Sequence, residues 1–318
     1  MWGAVAGTLP DLDVVVSPFV SQSMQLSIHR GITHSILFAV LAGAGSGRLL
    51  FTIHRRCGAT WREWGLLAFL GFITHSLLDC FTMYGTQLFS PFSSHPVALS
   101  SIFIIDPLYT APVAAGLLAA LFLRRTSARR RALNLIGLGL STAYLLLGLI
   151  NQMQAKAAFA AALEDGRHPY SRLFATPTLF NNLLWMGMAD GGDHLLVGLH
   201  SVFDPDDHIR FQRIEKNTGL IAGVLDQEPV QKLIWFSRGY YTVTAEDGDL
   251  YFNDLRFGRS DSWLTSSGSY VFSFRLLPDP GDPGKIADFR RRSPGFSGRD
   301  QVLSLLWKRI WGERRRER

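Results

Sequence analysis

Cysteine is nearly missing from this chain of 318 residues. Cys57 and Cys80 are the only two, which excludes a disulfide framework and offers no zinc-ribbon spacing. Acidic side chains are scarce in the first half: up to Asn151 they are Asp11, Asp13, Glu63, Asp79 and Asp106. Such a stretch cannot clothe an ordinary water-soluble domain, where about a quarter of residues are charged. A basic leader is lacking too. No Lys or Arg precedes the first apolar run, which stops at Pro10-Asp11, so no cleavable signal peptide is expected.

What the first half does hold is arginine and apolar residues. Arg30 stands alone; Arg48, Arg55, Arg56 and Arg62 form one cluster, and Arg124, Arg125, Arg129, Arg130 and Arg131 a second. The net charge of +6 lies mainly in these clusters, which argues against nucleic acid as a partner. Four apolar segments, roughly Ile32–Phe51, Gly65–Phe81, Pro107–Leu123 and Ala132–Ile150, approach the ~20 residues that cross a bilayer. The expectation is an α-helical multi-spanning membrane bundle of about four helices. Basic loops stay in the cytoplasm, so both clusters are assigned there. Asp11, Asp13, His29, His34, the end of the second segment, the 82–106 loop and everything after Asn151 then lie on the extracytoplasmic side. The basic ending "WKRIWGERRRER" points the other way, but the charge rule is read from short loops.

After Asn151 acids and bases are dense and nearly balanced. "NQMQAKAAFAAALEDG" reads as a helix ending at Gly166, "HLLVGLHSVF" and "YVFSFRLL" as strands, and "GYYTVTAEDGDLYFNDLRF" as a hairpin turning at Asp247-Gly248. This half is expected to be a small mixed α+β or mainly-β soluble domain. From about Asp279 to Asp300 the chain is rich in Pro, Gly and Arg and reads as a linker. The last stretch reads either as an amphipathic helix on a lipid surface or as a disordered tail. The expected organisation is a membrane-embedded domain over 1–151, a soluble domain over 152–285, and a basic linker and tail over 286–318.

Four of the five acids of the first half fall on the side opposite the arginine clusters. Ionisable groups at a membrane edge are costly and usually serve a partner or a function. "LPDLD" sets Asp11 and Asp13 two apart, so an extended backbone would point both the same way. "THSLLD" sets His75 and Asp79 four apart, on one helix face. "HRGITH" places His29 and His34 five apart, which on a continuous helix would diverge by about 140°. A break at Arg30-Gly31 lets the two imidazoles converge. Together these form a nitrogen-and-oxygen donor set suited to zinc, manganese or iron, with carboxylates enough for two ions. Arg30 beside them would hold an anionic substrate group. Plainer roles compete. Asp106 before Pro107 makes a good helix N-cap. His75 and Asp79 would bond each other in a packed bundle, and Asp11 and Asp13 would be solvated loop acids.

"GTLPDLD", "HRGITHSILF", "THSLLDCFTMYGTQLFSPFS" and "IIDPLYT" resemble the motifs of the YdjM-like family of bacterial inner-membrane proteins, and "ATPTLFNNLLW" and "WFSRGYY" extend the resemblance past Asn151. It implies a multi-spanning membrane protein with a divalent-metal site and hydrolytic activity, distantly similar to zinc-dependent phospholipase C. The functional residues it implies are Asp11, Asp13, His29, Arg30, His34, His75 and Asp79. Family members typically open with a further helix bearing an Asp and a Thr-His pair, whereas only nine residues precede Pro10 here. The expected activity is hydrolysis of an ester or phosphoester, with a lipid-like substrate favoured by the site's position. The metal ligands would be Asp11, Asp13, His29, His34, His75 and Asp79, with Asp13 taking a proton and Arg30 stabilising negative charge. The alternative is a non-catalytic membrane scaffold pinned by a structural polar cluster.

Overall fold

A computed structural model describes residues 1–206, 208–265, 268–295 and 299–313. The helical part opens with α1 (Trp2–Thr8), a 3-10 stretch over Leu9–Phe19, α2 (Gln22–Ile28) and a 3-10 turn over Ile32–His34. Then come α3 (Ile36–Ile53), α4 (Trp61–Asp79), α5 (Pro107–Phe122) and α6 (Ala128–Asp165). Strands β1 (Arg172–Pro177), β2 (Leu184–Asp190), β3 (His194–Ser201) and β4 (Phe211–Glu215) follow. After α7 (Glu228–Ser237) come β5 (Tyr241–Glu246), β6 (Asp249–Arg259), β7 (Tyr270–Asp279), β8 (Asp282–Arg292) and a last helix, α8 (Arg299–Ile310).

The helix starts are written in the sequence. Thr60 and Glu63 form a reciprocal capping box on α4, which gives the one acid among the arginines a local task. Asp106 caps α5 by accepting from the N–H groups of Leu108 and Tyr109, 3.0 and 3.4 Å, and it also accepts from Tyr144 Oη at 2.9 Å. Ser35 caps α3. Of the four expected spans, α3 and α6 are long and apolar enough to cross a membrane. The other two fall short of that measure. α4 holds Arg62, Glu63 and Asp79 within its 19 residues, and α5 has only 16, about 24 Å against a ~30 Å hydrocarbon core.

Contacts gather the chain into two compact units. One comprises Met1–Leu99, Val224–Phe236 and Leu276–Arg290. Its core joins Ala6 of α1, Ala39 of α3, and Ala68 and Phe72 of α4. α3 and α4 approach through glycine: a Cβ on Gly47 would stand 2.5 Å from the Trp61 carbonyl oxygen and 2.6 Å from Gly65 Cα. Such small-residue contacts are how apolar helices associate in lipid.

The other unit comprises Ser100–Gly223, Ser237–Arg275 and Arg291–Arg318. Gly137 of α6 meets Pro112 of α5 in the same close way, 2.5 Å from a built Cβ to the carbonyl oxygen. α6 is one helix of 38 residues with two environments. Its first half leaves Leu133, Ile136, Leu140 and Leu147 exposed. Its second half buries Ala155 and Phe159 against Ala175 and Trp185, and Leu163 against Ala189 and Leu196. The expected helix ending at Gly166 is thus the continuation of the fourth apolar segment, without a break at Asn151. β1 to β4 form one antiparallel sheet in sequence order, and β5 to β8 a second sheet in sequence order. The region read as a linker from Asp279 contains β8. The ending "RRRER" lies outside the described residues.

Candidate metal centre

The site is assembled from three short breaks in helical structure. The first is the 3-10 stretch after α1. It holds Asp11 and Asp13, and because it coils instead of extending, their side chains part: Asp11 is 52% exposed and Asp13 1%. The second lies between α2 and α3. α2 ends at Ile28 with His29 as its cap, Arg30 takes a left-handed φ of 56°, and the chain re-enters a 3-10 turn that buries His34 completely. Gly31 allows this turn, since a Cβ there would meet the carbonyl oxygens of Ile28 and Ser27 at 2.7 and 2.9 Å. The third is the end of α4, where His75 and Asp79 share a face.

Four side chains converge. His34 Nε2 is 3.3 Å from His75 Nε2 and 3.3 Å from Asp11 Oδ1. His75 Nε2 is 3.4 Å from Asp11 Oδ1. Asp79 Oδ2 lies 3.5 Å from His34 Nε2 and 3.7 Å from His75 Nε2. Each of the four residues offers a ligand atom within 4.8 Å of all the others. Ligands held at roughly 2.0–2.2 Å around a tetrahedral ion stand about 3.3–3.6 Å apart, so these spacings fit a cation. Asp79 Oδ2 is buried and accepts no hydrogen bond, as expected of an oxygen turned to a metal. Hydrogen bonds from His34 and His75 hold the Asp11 carboxyl well below the usual range, with burial opposing.

The other expected residues stand behind these four. Burial would raise the Asp13 carboxyl, but bonding to His29 and Arg30 keeps it below its ordinary value. Asp13 Oδ1 lies 3.0 Å from His29 Nδ1. Its Oδ2 accepts from the Arg30 N–H at 3.1 Å and from Thr33 Oγ1 at 3.3 Å. Thr33 Oγ1 is 3.0 Å from His34 Nδ1, and Asp13 Oδ2 is 3.8 Å from it. Through the Thr33 hydroxyl, Asp13 thus stands behind the Nδ1 edge of His34, an arrangement that recurs behind metal-binding histidines. Arg30 Nη2 lies 3.1 Å from Asp79 Oδ1, Nη1 donates to Thr82 Oγ1 at 2.8 Å, and the guanidinium stacks 4.9 Å over Tyr84. One arm of its fork holds Asp79 and the other Thr82. So Asp11, His34, His75 and Asp79 meet at one point, while Asp13, His29 and Arg30 surround it. Thr33, Thr82 and Tyr84 were not singled out in the sequence. Thr82 had a signal: it follows Asp79 by three at a helix end, where its hydroxyl bonds the Asp79 carbonyl at 2.8 Å. Beside His29 lies a narrow cleft of about 10 Å³, walled by Tyr84, Trp235, Phe236 and Pro96.

Residues 1–155 match the family model described as YdjM inner membrane protein. The uncharacterized protein YfhP of Bacillus subtilis (strain 168) is 32% identical over 108 residues, 34% of this chain and 32% of that protein, so about a third of the relative's length is spanned. No solved structure matches the chain. The family match thus supports the YdjM-like resemblance read from the sequence, over residues 1–155.

Proposed function

We propose that this protein is a membrane-bound, metal-dependent hydrolase of an ester or phosphoester, its site on the extracytoplasmic face of the inner membrane. One observation carries the reading: two imidazole nitrogens and two carboxylate oxygens from three separate stretches meet at ion-binding separations. His34, His75, Asp11 and Asp79 would hold the ion. A bound zinc, manganese or iron supplies an acidified water close to neutral pH and a Lewis acid for the scissile group. Arg30 holds Asp79 in place from its far oxygen. Asp13 orients His34 and, with His29, forms a pair placed to hold and move a proton beside the cleft. The aromatic wall of that cleft suits an apolar, lipid-like substrate portion.

Ligand count bears on which metal serves. Four protein ligands close a tetrahedral zinc site, as in structural centres, unless the ion takes a fifth ligand; a six-coordinate manganese or iron keeps two positions open. Asp11 is the solvent-side ligand, so an incoming water would enter there. The same closure supports a second reading, a scaffold whose zinc pins the helices without catalysis. Elemental analysis of the full chain purified in detergent, followed by a phosphoester and lipid-ester screen on wild type and His34→Ala, decides between them. Metal and turnover both lost in His34→Ala support the hydrolase. Metal without turnover on any substrate supports the scaffold. Wild-type protein without metal after growth in zinc-, manganese- and iron-supplemented medium overturns both.

A further inference from the structure

Helix α8 carries apolar residues on two faces. Leu306 and Ile310 turn inward and pack with Leu184. Arg309 grips Asp204 through both terminal nitrogens, 2.6 and 2.7 Å. A surface helix docked this way usually turns polar residues outward. Here Leu303, Trp307 and Trp311, successively four apart, stay exposed, Trp307 at 62%. Trp311 stacks on Phe203 with 4.9 Å between ring centres, and Phe203 is itself exposed.

Their position in the fold says what covers them. β2 begins and β3 ends at the paired residues Leu184 and Ser201. The Ser201 hydroxyl donates to the Ile310 carbonyl, and Val202 N–H donates to the Leu183 carbonyl at 2.9 Å. This same end of the sheet reaches α6, because Asn151 Nδ2 donates to the Asn182 carbonyl at 2.9 Å. Asn151 is where α6 changes character: Leu146, Leu147 and Ile150 before it are exposed, and Ala155 and Phe159 after it are core. The aromatic rim therefore lies at the sheet end tied to the terminus of the apolar half of α6.

We propose that Trp307, Trp311, Phe203 and Leu303 form an interfacial anchor that seats this sheet on the bilayer crossed by α6, their occupant being the boundary between headgroups and acyl chains. Tryptophan concentrates at that boundary, where its ring is apolar and its N–H stays wet. Lys308 is exposed on the same helix, a charge that anionic headgroups attract. The inference rests on α6 spanning the membrane and is independent of the metal chemistry.

The test uses the full chain in vesicles of phosphatidylcholine and phosphatidylglycerol, with and without bromine on the acyl chains. Cys57 is replaced by Ser, and a bimane fluorophore is placed at Trp307→Cys or, in a second protein, at Leu303→Cys. Brominated lipid should dim both labels about twofold or more, as for groups seated about 5–10 Å into the boundary. A label at Asp247→Cys, on the β5–β6 turn, should be unaffected. Equal emission in brominated and plain vesicles at positions 303 and 307 overturns the proposal. So does dimming that appears only as protein concentration rises, which would assign the rim to a second copy of the chain.

Discussion

Replacing Asp13 with Asn separates a ligand from a residue that orients a ligand. The carboxylate serves three donors: His29 Nδ1 at 3.0 Å, the Arg30 N–H at 3.1 Å and Thr33 Oγ1 at 3.3 Å. Asn keeps the shape but turns one accepting oxygen into an amide donor. Whichever way it faces, either His29 or the Arg30–Thr33 pair loses its acceptor, and the negative charge behind His34 disappears. The four converging atoms stay in place. Losses of this kind weaken metal affinity about 10- to 100-fold, equivalent to ~1.4–2.7 kcal/mol. His34→Ala, which deletes a converging nitrogen, should cost more. Competition against a fluorescent zinc chelator, on purified protein in detergent, ranks the three. Glu63→Gln serves as control, since Glu63 caps the other end of α4. Asp13→Asn binding as tightly as wild type would refute the orienting role. Binding as weakly as His34→Ala would make Asp13 a ligand in its own right.

Chelation should lower the melting temperature of wild type and leave that of His34→Ala unchanged, since only an ion held by the folded state stabilises it; calorimetry in detergent reads this. Gly47→Ala forces a Cβ to within 2.6 Å of Gly65 Cα and should destabilise by about 1–3 kcal/mol, whereas Gly65→Ala, whose nearest neighbour is the Gly43 carbonyl oxygen at 3.4 Å, should be nearly neutral. Equal melting points for the two variants would contradict the close α3–α4 approach. Burial opposes ionisation of Asp204, but His200 and Arg309 hold its carboxyl well below the usual range. A depressed carboxylate stabilises above its unfolded value and loses that contribution as pH falls through the folded one. α8 should therefore stay docked at neutral pH and loosen only below about pH 4, under the ordinary Asp range. Asp204→Asn should loosen it at every pH, by roughly 3 kcal/mol for a broken buried pair. Protease cleavage within α8 as a function of pH measures both.

Much of the fold was legible because its signals are local. The Asp247-Gly248 turn is one case: both residues take positive φ, 51° and 85°, and join β5 to β6 as the dipeptide demands. The Asp106-Pro107 start of α5 and the end of α6 at Gly166 are others. What sequence reading missed depends on partners far along the chain. β8 looks like a linker because Pro283, Gly284 and three successive arginines, Arg290 to Arg292, dominate it, yet an edge strand tolerates proline and gains from charge. Its only fully buried side chain is Phe289. At the site, residue types and their breaks at Pro10 and Gly31 were readable. The sorting of Asp11 from Asp13 was not, because a 3-10 coil and an extended strand send residues two apart in different directions.

The unbroken run of α6 has a mechanical meaning. Thirty-eight residues make a rod of about 57 Å, well beyond the ~30 Å of a bilayer interior. Its second half is the spine on which the first sheet is built, with no glycine or proline between Asn151 and Asp165 to act as a joint. Whatever tilts or rotates the rod must swing the sheet through the same angle, so the strands report the helix's attitude as a mast carries its flag.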